Sequence, residues 1–400
     1  MTPVTEAPAP LKWTERIDRI EPSATMAVAA EAEKLRQSGV DVVDWTVGEP
    51  HFPTPEHIKE AAIAAIRGNF TRYTAVGGTV ELKDAILGRH AEDFGSRYQR
   101  DQTMASVGGK HVLFNAMQVL VDHGDEVILP VPYWVSFKDI VRYAGGNCVL
   151  LESDESQGFR VTAEMVSRLV TPRTKLIILN SPANPSGAVM SPEDMTEVVR
   201  FASERGIWVI SDECYVYLNY TGRAFSVGSL DEYRERTIVV GSLSKTYAMT
   251  GWRLGYALAP APVVAAMQKL QSQSTSNPTS IVQKAAVAAL GGPQEPIAEM
   301  RKEYIRLRDR VLAGLNKIEG VRSSRPEGAF YVYPNISELL GGRVRSAAEF
   351  SKKLLDEARV ATVPGEGFGT GGHIRISYAT SEKELDRGLE RLRNFVSSLK

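Results

Sequence analysis

The 400-residue chain is poor in cysteine, holding only Cys148 and Cys214. Two thiols cannot build a disulfide framework, which suits a reducing, cytoplasmic compartment and two unremarkable core positions. No run approaches the ~18 consecutive apolar residues of a transmembrane helix, so no membrane partner is expected. Charge of one sign is lacking too: 47 Lys and Arg stand against 48 Asp and Glu, a formal net charge of −1. No basic surplus points to nucleic acid, and no acidic tail points to a solvating segment. The six histidines show no ligand spacing such as H-E-x-x-H, so no metal is expected. The opening "MTPVTEAPAPLKW" lacks the basic flank and apolar centre of a secretory signal and reads as a flexible arm.

What is present is an alternation of strand-like and helix-like segments. Residues 40–48 read as a strand. Residues 54–68 read as a helix with Thr54 as N-cap and Gly68 as stop, and residues 81–95 as another. Residues 103–130 read as strand, Gly-Gly turn, helix and strand, with Val112, Leu113, Ala116, Met117 and Leu120 on one helical face. Further apolar runs follow at "NCVLL", "KLIILN", "GIWVIS", "TIVVG" and "LGYAL". Short, nearly all-apolar strands separated by helices predict an α/β fold with a mainly parallel sheet covered on both faces. After about residue 295 a long charged helix and strands near "AFYVYP" and "HIRISYA" predict a smaller α+β domain.

Three polar residues fall at or just beyond predicted strand ends: Asn184 in "NSPANPSG", Asp212 in "SDECY" and Lys245 in "GSLSKTYAMTGWRLG". Ligands of an open parallel sheet lie outside the carboxyl ends of its strands, so the three can converge on one crevice. A desolvated lysine loses part of its basicity, and its neutral amine can form an imine with an aldehyde. Pyridoxal phosphate needs such a lysine, together with an acid facing its pyridine nitrogen. Ser242, Ser244 and Arg253 surround the lysine in sequence, and "GGK" (108–110) opens a helix whose free N–H groups suit a phosphate.

With these motifs in order along the chain, the sequence resembles the class I aminotransferases, pyridoxal-phosphate enzymes of fold type I. The resemblance runs from "PSATMAVAAEAEKL" to "RISYATSEKEL" and includes "YTAVGG", "PVPYWVSF", "NSPANPSG", "SDECY", "SLSKTYAMTGWRLG" and "RISYA". It implies a seven-stranded sheet in a large cofactor domain (49–295), a small C-terminal domain (296–400), and an N-terminal arm with part of the small domain (1–48). It implies that Lys245 carries the cofactor and moves the proton, that Asp212 pairs with the ring nitrogen, and that Asn184 and Tyr215 bond the ring hydroxyl oxygen. Trp134 would stack on the ring. Gly109, the Lys110 backbone, Ser242, Ser244 and Arg253 would hold the phosphate, joined by Tyr73 from the partner chain of a homodimer. Arg375 would clamp the substrate α-carboxylate beside Gly48 and Asn184, since a guanidinium fork binds a carboxylate bidentately.

The segment "QSQSTSNPTS" has no arginine for a distal carboxylate. Either the substrate is an uncharged or aromatic amino acid, or another cation serves. The chain resembles a bacterial subgroup in which residues matching Lys110 and Thr25 serve that carboxylate, which favours aspartate or glutamate as donor and a 2-oxo acid such as 2-oxoglutarate as acceptor. Prephenate is the alternative acceptor, opposed by Glu21 where prephenate users carry a basic residue. A different pyridoxal-phosphate reaction on the same fold, or a non-catalytic regulator, are the readings from other classes.

Overall fold

Apolar runs bounded by polar residues become the strands of a central sheet in the computed structural model, which describes residues 12–222 and 224–399. Most of the expected N-terminal arm lies outside these residues. In chain order the strands are β1 (Val43–Asp44), β2 (Thr103–Ser106), β3 (Glu126–Val131), β4 (Asn147–Glu152), β5 (Thr174–Asn180) and β6 (Trp208–Asp212). There follow β7 (Thr237–Ser242), β8 (Gly255–Leu258), β9 (Tyr331–Val332), β10 (Val360–Ala361), β11 (Val363–Pro364) and β12 (Ile374–Ser377).

The main sheet has seven strands in the order β2-β8-β7-β6-β5-β3-β4. Strand β8 runs antiparallel to both its neighbours; the other pairings are parallel. The interior strands are buried on both faces, which is why β6 and β7 read as unbroken apolar runs. One face packs Ile177, Val209 and Val239 among Ile86, Val198 and Ala286, the other packs Ile178, Ile210 and Val240 against Leu113 and Met117. The helix Gly109–Leu120 buries Val112, Leu113, Ala116 and Met117, the expected face, while Leu120 stays partly exposed.

A second core gathers Trp45, Tyr304, Phe330, Phe350 and Phe395. Here β11, β12 and β9 form an antiparallel sheet, and β1 pairs with β10 in parallel. The helix Glu382–Leu399 approaches so closely that a Cβ on Gly388 would meet the Trp45 indole at 2.1 Å.

Two local expectations are corrected. The strand expected over residues 40–48 is only Val43–Asp44. Past Asp44 the backbone stays tied but irregular: Trp45 N donates to Ala361 O, Ser377 N donates to Trp45 O, and Thr46 bonds the Asp44 carboxylate. Thr54 is not the N-cap of its helix, which runs Glu56–Arg67 with Pro55 at the cap and Gly68 at the C-cap. Instead the Thr54 hydroxyl donates to Ala248 O (2.6 Å) and accepts from Trp252 Nε1 (3.0 Å), bracing the loop that follows Lys245.

Candidate active site

Register places the floor of the site. In the parallel ladder Asn180 is paired with Asp212, and Asp212 with Val240, so the ends of β5, β6 and β7 lie side by side. Asp212 is 5% exposed, and burial pushes its carboxyl up to about 6. One carboxylate oxygen accepts from Cys214 N (3.0 Å). Beyond β7 the chain turns into the short helix Leu243–Thr246, capped by Ser242, whose hydroxyl accepts from Ser244 N. That turn delivers Lys245. Its amine donates to the carbonyl oxygen of Gly48, and burial lowers its pKa.

The corner beside the lysine is made by glycine. Gly108 has φ +82°, and a Cβ there would meet Arg253 Nη2 at 2.5 Å. The missing side chain lets the guanidinium lie against the start of the helix Gly109–Leu120. Gly255 is constrained likewise, since a Cβ would meet Gly109 N at 2.3 Å. Ser242, Ser244, Gly109 and Arg253 thus border one corner, where free helix N–H groups and a cation favour an anion.

The opposite wall comes from distant segments. Arg375, in β12, is 1% exposed. It donates from Nη1 to Asn184 Oδ1 (3.0 Å) and from Nη2 to Thr46 O (2.7 Å), while its buried Nε has no partner among the described residues. The Tyr215 hydroxyl lies 2.9 Å from that of Tyr331. The Lys110 amine sits 4.9 Å from the centre of the Trp134 ring, its pKa lowered first by burial and then by Arg253. Thr25 Oγ1 is buried and also unpartnered among the described residues.

Asp212, Lys245, the four residues of the corner and, Thr46 apart, those of the opposite wall line one cavity of about 310 Å³ together with Gly48. Tyr73 does not; it is 91% exposed on this chain. Glu21 also lies outside, 3.9 Å from Arg142. The cavity adds residues that sequence reasoning passed over, chiefly Asn180 and Tyr331. Asn180 donates to Asp212 O and accepts from Asn184 N, fixing two expected site residues at once. Its signal was available: it is the polar last residue of the run "KLIILN". A neighbouring cavity of about 510 Å³ shares only Asn180 with this one, and charged groups on its lining are paired, Arg160 with Asp194 and Glu155 with His373 and Asn335.

The family model described as aminotransferase class I and II matches residues 40–392. The chain belongs to that family. An aspartate aminotransferase of Geobacillus stearothermophilus is 41% identical over 391 residues, 97% of this chain and 100% of that protein. An aspartate/prephenate aminotransferase of Thermus thermophilus is 44% identical over 381 residues, 94% of this chain and 97% of its own. The crystal structure of the Rhizobium meliloti aspartate aminotransferase superposes with a TM-score of 0.93 at 42% identity, covering 97% of this chain and 99% of that one. That of the Thermus aspartate aminotransferase with maleate gives 0.92 at 42%, covering 96% and 99%. As a member of the class I and II aminotransferases, the protein is an enzyme that transfers amino groups.

Proposed function

We propose that this aminotransferase uses pyridoxal 5′-phosphate to move the amino group between L-aspartate or L-glutamate and a 2-oxo acid such as 2-oxoglutarate. The observation that carries the reading is a buried Asp212 carboxyl at the end of β6 and a desolvated Lys245 amine just beyond the adjacent β7, in one cavity with the Arg375 side chain, whose Nε has no partner among the described residues.

The residues fit that cofactor. Lys245 offers the amine for its aldehyde and Asp212 an acid for its ring nitrogen. Asn184 and Tyr215 suit the ring oxygen, and Trp134 the ring face. Gly109, the Lys110 backbone, Ser242, Ser244 and Arg253 border the corner for its phosphate. When bound, the cofactor supplies an electron sink that lets an amino acid release its α-proton. Lys245 Nζ takes that proton and returns it, a task helped by a pKa lowered toward the working range. Asp212 keeps a proton on the ring nitrogen, and the cationic partner offsets the cost of burying its charge.

Arg375 holds the α-carboxylate, already oriented by Asn184 and Thr46. Lys110 and Thr25 serve the distal carboxylate, a role supported by the Thr25 hydroxyl, which has no partner among the described residues, and by the maleate, a four-carbon dicarboxylate, in the Thermus structure. Tyr73, too exposed to serve its own site, would reach the phosphate corner of a second copy, making a homodimer with composite sites. Prephenate is the second reading for the acceptor, favoured by the Thermus relative's name. Borohydride reduction of the protein loaded with pyridoxal phosphate, followed by peptide mapping, tests the core assignment: the label should sit on Lys245, and a protein that stays colourless with added cofactor would sink it.

A further inference from the structure

Tyr331 is a buried phenol, 1% exposed, on which three parts of the site converge. Its ring centre lies 4.5 Å from the Arg375 guanidinium. Its hydroxyl is 2.9 Å from that of Tyr215. The same hydroxyl fills the space a Gly48 side chain would need, since a Cβ there would come within 2.7 Å. One side chain therefore touches the clamp for the α-carboxylate, the partner of the cofactor's ring oxygen, and the segment whose carbonyl receives Lys245.

Counting hydrogens sets the donor direction. Tyr215 has one hydroxyl proton. When it goes to an acceptor in the cavity, the 2.9 Å contact survives only if Tyr331 is the donor. A hydroxyl that accepts a hydrogen bond becomes a stronger donor itself. We propose that Tyr331 is a positioning residue that donates to Tyr215, strengthening and aiming the bond Tyr215 gives to the ring oxygen, while its ring face holds Arg375 in its carboxylate-binding pose. This deepens the proposed function and rests on it.

The test is a pH titration of the visible absorbance of the loaded enzyme without substrate. Tyr331→Phe keeps the ring and removes only the hydroxyl. Weaker donation from Tyr215 leaves more negative charge on the ring oxygen, which holds the neighbouring imine proton more tightly. The midpoint should move up by roughly half to one unit, the size of one hydrogen bond. Tyr215→Phe should shift it in the same direction and further. The double variant should match Tyr215→Phe alone, because Tyr331 acts through Tyr215. Tyr331→Leu should add a raised KM for the amino acid, through loss of the face under Arg375. An unchanged midpoint in Tyr331→Phe, or additive shifts in the double variant, would overturn the relay. A wild-type enzyme with no pH-dependent visible band would remove the cofactor reading and the relay with it.

Discussion

The floor of the cavity and its far wall are fixed by different means. Asn180, Asp212 and Ser242 end neighbouring strands, and the turn after Ser242 delivers Lys245, so their spacing is the register of the sheet. A shift of one residue would turn each strand-end side chain to the other face and is resisted by the whole core. Gly48 comes from one end of the chain and Tyr331 and Arg375 from the other; Tyr331 packs its hydroxyl against Gly48 and Tyr215, and Arg375 is held by Asn184 and the Thr46 carbonyl, so this wall is fixed by individual side-chain contacts. Under the proposed function, the sheet-borne floor would carry the chemistry and the assembled wall the choice of substrate.

The largest effect should follow from removing the floor's amine. Lys245→Ala should cut turnover by at least about 10⁴-fold, the upper range for a positioned proton-transfer group alone. It should still bind pyridoxal phosphate, now without a borohydride-trappable bond. Retained turnover would erase the distinction between floor and wall.

Asp212→Asn should cost about 10²- to 10⁴-fold in kcat, with Asp212→Glu milder, since a neutral amide cannot hold the ring nitrogen's proton. The same change should stabilise the cofactor-free protein. Burial lifts the Asp212 carboxyl to about 6, above the ~3.9 of an unfolded chain. The folded state therefore prefers the protonated acid. Its penalty is absent below about pH 4 and complete above about pH 6, where it reaches at most about 3 kcal/mol. Urea unfolding at fixed protomer concentration should show Asp212→Asn ahead of wild type at pH 7.5 and level with it near pH 4. A difference that does not change with pH would mean that the carboxyl is not desolvated.

Wall substitutions should change preference rather than chemistry. A charge-assisted contact is worth about 1.5–3 kcal/mol, so Lys110→Ala should lower the preference for aspartate over alanine in kcat/KM by roughly 10- to 150-fold. Equal loss for both donors would mean that the Lys110 amine serves the phosphate corner.

Most of the floor was legible in the sequence because a polar residue at or just beyond the end of an apolar run is conspicuous, although Asn180, placed the same way in "KLIILN", was passed over. Asp212 and Lys245 announce themselves this way, and the helix Gly109–Leu120 by its periodicity. The wall was not legible from local pattern. Arg375 is one residue in a buried strand, "IRIS", and was assigned through family resemblance. Tyr331 is hidden in "AFYVYP", where an aromatic reads as core; its hydroxyl partner lies 116 residues away. Thr54 had the right type and place for a helix cap, yet its hydroxyl bonds Ala248, 194 residues distant, and long-range contact overrode the local rule. Residues 40–48 have strand composition, but only Val43 and Asp44 find a pairing partner, in β10.

The most direct measurement mixes the cofactor-loaded enzyme with a single amino acid, without acceptor, and follows the visible absorbance. Aspartate should discharge it, roughly tenfold or more faster than alanine at equal subsaturating concentration, and Lys245→Ala should show no such discharge. An absorbance that no amino acid changes would contradict the assignment of Lys245 and Asp212, and equal rates for aspartate and alanine would contradict the dicarboxylate wall.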